Sequence, residues 1–491
     1  MTLPVTVTHD QPLVAVRSVA ELAPLLPELV LVGGAFALLM LDLFLPERRR
    51  VVTHLLGVAL LLAVAAMVAS GVGGQGTILS GMFVRDTAAD VLKVGIALVS
   101  ALAMVYAWPF LRERGLYKGE VTVLMLFAAL GMMLMVSSAT LVMVYVGLEM
   151  LALCSYALVV TDRDSPLASE AGIKYFVLGA LASGLLLYGM SLVYGATGSL
   201  DLLAIAAVAD GSASLMLVTG LVFVVCGIAF KFGAAPFHMW LPDVYHGAPT
   251  PITLFIGSAP KLAAFGMTYR LLESGMGPLD NHWRLMLAGL AVLSLAIGNL
   301  TALVQSNLKR LLAYSTVSHV GFLFIGFAGG GSQGYAAAMF YAISYAIMSA
   351  AAFGAIIVLS RQGFEADRID DFKGLNARNP WQAGLVLCVM ASLAGVPPFL
   401  GFWAKLEVLL AALDAGLLWL AVVGVVCAVI GAFYYLRVMK AMFFDEPEGE
   451  GPRLHADSHL RVLFAVNAIA LLALGLFADS ILHWVGLAFP V

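Results

Sequence analysis

Apolar runs of membrane-spanning length recur along almost all of this 491-residue chain, separated by short connections. The hydrocarbon core of a bilayer takes about 20 apolar residues of helix. Backbone groups in lipid must be hydrogen-bonded within the segment, so each run has to be a helix. Fourteen spans are read: 25–45, 52–70, 84–108, 121–137, 139–160, 171–196, 213–240, 251–272, 284–303, 311–328, 335–360, 381–412, 416–443 and 460–487. Composition agrees: 62% of residues are hydrophobic and 11% charged, against about 25% charged in a soluble domain. A water-soluble enzyme, a nucleic-acid binder and a disordered chain are excluded, and a net charge of −4 gives no basic excess for nucleic acid. The predicted fold class is an all-α polytopic membrane protein.

Orientation follows from the positive-inside rule. Seventeen Lys and Arg residues fall in alternate loops, beginning with Arg48, Arg49 and Arg50, while the opposite loops and both tails hold only Arg17. The basic loops are therefore read as cytoplasmic, both termini as outward (periplasmic), and the membrane as a bacterial plasma (inner) membrane. Residues 1–24 form an outward segment without the basic start and apolar core of a cleavable signal peptide. The cysteines, Cys154, Cys226, Cys388 and Cys427, lie in apolar runs without CxxC spacing and are read as small hydrophobes. No metal site is expected.

Several charges lie where a bilayer tolerates them least. Glu149 is at the middle of span 5 and Lys261 at the middle of span 8; Lys231 is deep in span 7, Lys405 deep in span 12, and His319 central in span 10. A charge at the bilayer centre costs at least about 2.5–3.5 kcal/mol, so these groups must face the interior. One buried ion pair could serve packing alone, but three lysines exceed what one glutamate can neutralise. Desolvation disfavours a charged lysine and a nearby carboxylate favours it, so such lysines can be switched between states by their partners, as a proton relay requires. His319 suits a relay because imidazole titrates near neutrality. Lys174, near the cytoplasmic end of span 6, is a secondary candidate that couples to Glu149 or feeds protons inward, with simple snorkelling as the alternative. Arg85, Arg270 and Arg284 are read as snorkelling from span ends, and Lys93 as an interfacial ion cluster with Asp86 and Asp90.

Two spans contain proline in their interiors. Span 7 carries Pro236 five residues after Lys231, and span 12 carries Pro397 and Pro398 shortly before Lys405. Proline removes a helical hydrogen bond and clashes with the preceding turn, so both helices are predicted to be discontinuous. Each is the fourth of five spans, in the sets 4–8 and 9–13. An odd number of spans sends the second set in from the opposite face, so the two sets are predicted to be inverted five-helix repeats. Interrupted helices at matching places in inverted halves mark an ion pathway. The chain divides accordingly into 1–24, spans 1–3 (25–120), a first repeat (121–272), a second repeat (273–443) and a cytoplasmic loop with span 14 (444–491). The expected geometry is a lateral polar row of Glu149, Lys231, Lys261, His319 and Lys405, with half-channels to opposite faces.

These residues lie in stretches that resemble the antiporter-like membrane subunits of respiratory complex I, the proton-pumping NADH:quinone oxidoreductase. The matching stretches are VGLEMLALCSYALV around Glu149, KYFVLGALASGLLLYG from Lys174, FKFGAAPFHMWLPDVYHGAPTP from Phe230, APKLAAF around Lys261, LLAYSTVSHVGF around His319 and VPPFLGFWAKLEVL around Lys405. Within that family the N branch is most similar: span 12 holds Lys405 where the M branch has glutamate, and the chain ends soon after span 14, where the L branch continues into a long lateral helix. The resemblance implies an input pair at Glu149 and Lys231, a bridge at Lys261 and exchange with the outer side at Lys405. It implies a proton-translocating subunit with no redox centre of its own, NADH, FMN, iron–sulfur clusters and quinone belonging to partner subunits. Its implied partners are other membrane-arm subunits, with another antiporter-like subunit and small membrane subunits at its flanks, and the lipid bilayer. Alternative readings are a subunit of a cation/proton antiporter or of a membrane-bound hydrogenase, and a structural subunit whose charges only hold neighbours together.

Overall fold

A computed structural model describes residues 19–209, 214–447 and 457–489. Most of the expected outward segment, with Arg17, lies outside these residues, as does Arg453 in the expected cytoplasmic loop. The chain runs α1 (Leu26–Phe44), α2 (Val51–Ala69), a hairpin of β1 (Gly76–Ile78) and β2 (Phe83–Arg85), α3 (Thr87–Glu113), α4 (Gly119–Val136), α5 (Leu141–Val159) and α6 (Pro166–Thr197). It continues through α7 (Leu202–Ala209), α8 (Leu215–Phe232), α9 (Trp240–Gly247), α10 (Thr250–Thr268), α11 (Asp280–Leu303), α12 (Leu308–Gly329) and α13 (Gly331–Leu359). Last come α14 (Leu375–Arg378), α15 (Pro380–Ala394), α16 (Leu400–Asp414), α17 (Leu418–Phe443), α18 (Ser458–Leu476) and α19 (Ala478–Gly486).

Among the described residues, twelve helices are long and apolar enough to cross a bilayer. The other two expected spans are α10, whose apolar run is diluted by Lys261, Pro260 and its hydroxyl residues, and the α15–α16 pair, each half of which is short. Span 14 is bent at Phe477 into α18 and α19. The β1–β2 hairpin and α7 have no counterpart among the expected spans. They are short pieces in connections, without an apolar run to announce them.

Local chemistry sets the ends. Ser165 caps α6 by accepting from the Ala168 N–H, with Pro166 at the first helical position. Asn307 caps α12 through the Arg310 N–H at 3.0 Å. Small residues let helices approach closely: a Cβ on Gly131 would stand 2.8 Å from the Gly147 carbonyl oxygen, where α4 crosses α5. Peripheral helices turn Ile173, Phe433 and Val462 outward, as lipid-facing surfaces do. By contrast, α10 is buried along its whole length and packs on α3, α4 and α13. The helix that carries Lys261 is thus the central post of the molecule.

Candidate functional site

The site is built around two helix breaks. At the first, α8 stops at Phe232 because Gly233 turns left-handed (φ 76°) and folds its N–H back onto the Phe230 carbonyl at 2.9 Å. Residues 233–239 bridge to α9, with Pro236 in a cis peptide after Ala235. The Ala235 N–H donates to Ser294 Oγ on α11 at 3.0 Å. The last carbonyls of a helix have no intrahelical donor; here Lys261 Nζ, reaching in from α10, donates to the Phe232 carbonyl at 2.7 Å. Trp240 lies 5.7 Å from that ammonium, ring centroid to Nζ, and its Nε1–H donates to the Phe230 carbonyl at 3.0 Å.

The second break repeats the device. α15 ends at Ala394, Gly395 is left-handed (φ 85°), and Pro397–Pro398 is a cis peptide before α16 begins. Lys405 Nζ, one turn inside α16, donates to the Leu393 carbonyl at 3.0 Å and the Ala394 carbonyl at 2.8 Å. Both lysines are buried. Each places a cation against the negative end of a half-helix, where the macrodipole favours it.

Glu149 on α5 and Lys231 on α8 are half-buried. Neither has an oppositely charged group within 4 Å among the described residues, although the two interact electrostatically, as do Lys231 and Lys261. Glu149 Oε1 is buried without a hydrogen-bond partner. Beside Lys231 lies a cavity lined by Leu148, Tyr156, Tyr175 and Trp240, with about 20 Å³ open to a water's centre. That is room for a single water. Tyr175 stacks on Trp240 with centroids 4.7 Å apart and so forms the wall between α6 and the break.

His319 on α12 is held at both nitrogens. Nδ1 is 2.7 Å from the Tyr341 hydroxyl and Nε2 is 3.1 Å from the Tyr435 hydroxyl, which bonds in turn to Ser315 Oγ. Tyr345 stands 5.0 Å from the imidazole, ring to ring, and its hydroxyl is 2.6 Å from Thr316 Oγ1. Ser349, further along α13, donates to the Gly257 carbonyl of α10 at 3.2 Å. These hydroxyls surround His319 and reach α10 at Gly257, one helical turn before Lys261, and Lys405 interacts electrostatically with His319. The sequence reading did not single them out. The signal was available: Tyr341, Tyr345 and Ser349 recur at four-residue intervals and share one face of a buried helix.

Lys174 is placed differently from the expected coupling to Glu149. Its Nζ lies 2.7 Å from Glu170 and 2.7 Å from Asp243, and Asp243 also takes Arg310 at 2.9 Å. Asp243 on α9, overlooked at the sequence level, therefore ties α6 to α12 across the first break. Nearby, Lys309 is buried rather than free in a loop, donating to the Ala248 carbonyl at 2.8 Å and meeting Glu365 at 3.3 Å. Burial pushes the Glu365 carboxyl up, but the Lys309 charge, the Thr250 hydroxyl and Arg114 together hold it below its ordinary value.

Lys93 interacts electrostatically with Asp86 and Asp90 as expected, but the closest pairings bring in further partners. Lys93 pairs with Glu28 of α1 at 2.7 Å, Asp90 pairs with Arg85 at 2.7 Å, and Asp86 pairs with Arg270 at 2.7 Å. Helical spacing put the three residues on one side of α3, but the closest opposite charges come from α1, from β2 and from the segment that follows α10. Of the three arginines at span ends, Arg85 and Arg270 are buried, and Arg284 keeps part of its side chain exposed. Arg85 is wholly buried, Arg270 also donates to the Val136 carbonyl at 3.0 Å, and Arg284 donates to the Ala328 carbonyl at 2.8 Å. All four cysteines are free thiols.

The family pattern described as "NADH:quinone oxidoreductase/Mrp antiporter, TM" matches residues 138–431, a stretch that holds both breaks and all five row residues. A relative named NADH-quinone oxidoreductase subunit N, from Xanthomonas euvesicatoria pv. vesicatoria (strain 85-10), is 66% identical over 97% of this chain and 98% of its own. One of the same name from Thioalkalivibrio sulfidiphilus (strain HL-EbGR7) is 49% identical over 94% and 96%. Among solved structures, a chain of respiratory complex I from Thermus thermophilus with bound aureothin superposes with a TM-score of 0.79 at 32% identity, covering 93% of this chain and 98% of that one. A chain of the Mrp complex from Dietzia sp. DQ12-45-1b shares the fold, with a TM-score of 0.78 at 23% identity over 96% of each. The breaks, the buried lysines and these likenesses agree, and the chain belongs to the antiporter-like membrane-subunit family of NADH:quinone oxidoreductase, in its subunit N branch.

Proposed function

We propose that this chain is a proton-translocating subunit in the membrane arm of a bacterial NADH:quinone oxidoreductase, moving protons along Glu149, Lys231, Lys261, His319 and Lys405. The observation that carries the reading is the capping of both half-helix ends by buried lysines. A lysinium there supplies charge and donors to carbonyls that have no other donor. When it gives up its proton, the carbonyl end loses its counter-charge, so protonation and helix-end geometry change together. The half-buried Glu149–Lys231 couple, not locked into a direct ion pair, is free to respond to a charge arriving from a neighbouring subunit. A shift there alters the field at Lys261; the tyrosine and serine hydroxyls of α13 and His319 extend the row to Lys405, from which a proton leaves outward. Lys174 belongs to the cytoplasmic Asp243–Arg310 clasp and stands beside the relay as a secondary group.

On this reading NADH oxidation and quinone reduction take place in partner subunits that hold the NADH, FMN, iron–sulfur clusters and quinone. The neighbours are another antiporter-like subunit and small membrane subunits, in the bacterial inner membrane. The two sets of spans are inverted repeats, and both termini face the periplasm. The matched left-handed glycines and cis prolines support the repeat relation.

Replacing Lys231 with Met in the whole complex tests the proposal. Assembly should be retained while proton pumping coupled to NADH oxidation falls several-fold. Full pumping by an assembled Lys231→Met complex contradicts it, and loss of assembly with pumping unchanged per remaining complex favours a structural role for the charges.

A further inference from the structure

On the basic side of the membrane, the turn Glu47–Arg49 between α1 and α2 faces the last turn of α3 across an open cleft of about 610 Å³. Arg48 and Arg112 line it, above a floor formed by Trp108 and Tyr117. The floor is rigid: Trp108 packs edge-on to Tyr117 at 4.4 Å and stacks on His54 at 5.3 Å, centroid to centroid. Arg112 stands 5.7 Å from the Trp108 ring. Neither Arg48 nor Arg112 has a carboxylate within 4 Å among the described residues. The neighbouring Arg50 does, lying 3.8 Å from both Asp42 and Glu47, so Glu47 at the rim is already engaged. Two uncompensated guanidinium groups thus converge on one cleft at the depth where Trp and Tyr mark the lipid headgroups. Guanidinium matches phosphate oxygens in geometry and charge. Directly below the rim, α2 exposes Val52, Leu55 and Leu56, an apolar wall continuous with the cleft.

We propose that this cleft binds the phosphate of an anionic phospholipid of the cytoplasmic leaflet, with an acyl chain lying along α2. A free phosphate ion shares the recognition chemistry of the two arginines but makes no use of the Leu55–Leu56 wall. Among bulk lipids, a zwitterionic headgroup brings a cation next to them.

The test uses the intact, lipid-depleted complex titrated with phosphatidylglycerol, phosphatidylcholine or inorganic phosphate, with retained lipid counted by mass spectrometry. The wild-type complex should retain phosphatidylglycerol in preference to phosphatidylcholine. Its apparent affinity should fall about 30-fold in Arg48→Gln/Arg112→Gln, as loss of two headgroup cations implies. Arg163→Gln, a basic loop elsewhere on the same face, should leave it unchanged. Equal retention of the two lipids by the wild type overturns the proposal without recourse to any variant. So does an equal loss in Arg163→Gln, or displacement of phosphatidylglycerol by millimolar inorganic phosphate.

Discussion

Lys261 and Lys405 show at the scale of single residues how a charge can be kept at hydrocarbon depth: each is buried and solvated by backbone carbonyls instead of a carboxylate. Glu28 and Lys93 solve the same problem by direct pairing at 2.7 Å. Removing one member of a buried pair leaves the other uncompensated and costs about 3–5 kcal/mol, whereas replacing both with apolar groups can be near neutral. Lys93→Met should therefore lower thermal stability sharply and Glu28→Leu/Lys93→Met should recover most of it, as read by unfolding midpoints of the assembled complex. Additive losses in the double variant would refute the pairing. The interior placement of Lys261 and Lys405 was legible in the sequence because a charged side chain inside an apolar run cannot face lipid cheaply. Glu28 was not, because its partner lies on another helix and spacing along the chain cannot reveal it. Asp243 was likewise obscured, since an acid just past a break reads as loop.

At the scale of elements, the breaks depend on backbone that only glycine adopts cheaply. Gly395 is left-handed, and a Cβ there would sit 2.9 Å from Lys405 Cδ and 3.1 Å from Nζ. Gly416, at φ 75°, has the same handedness and no atom within 4 Å of its Cβ position. Alanine at either position carries a backbone penalty of about 1–2 kcal/mol. Only Gly395→Ala should also impair pumping, because it displaces the capping lysine; equal pumping in the two variants would separate the lysine from the break. A second element, the loop 361–368, is fastened to α12 and α10 through Glu365 with Lys309 and Thr250. Its folded carboxyl is held below the ordinary value, so its contribution is full above the usual carboxylate range and is lost below that range, as pH falls through the lowered folded value. Glu365 should hold the wild-type loop closed down to the ordinary carboxylate range, and the loop should open to proteolysis as pH falls below that range, while Glu365→Gln should start open and change little. The spans themselves were legible from apolar length alone. The exact stops were less so: α8 ends eight residues before the expected boundary of span 7, at Phe232 rather than 240, because a glycine cap and not hydropathy terminates it.

For the whole molecule, buried α10 links both halves: Lys261 reaches back to the end of α8, and Gly257 receives Ser349 of α13. Phe232 at the first break also meets Phe324 of α12, with ring centroids 5.3 Å apart. Beside the first break, Asp243 fastens α6 and α12 together through Lys174 and Arg310. Packing of this kind joins the surroundings of the two breaks through contiguous contacts. The helices that carry the buried charges were readable from the sequence, but the hydroxyl groups around His319 were not, since tyrosine and serine in apolar helices draw no attention until their faces are known. The central claim is that protons travel along this row, and the most direct measurement is the number of protons translocated per NADH oxidised by the complex reconstituted in liposomes. With subunit content matched to wild type, Lys405→Met should lower that ratio; an unchanged ratio would contradict the account.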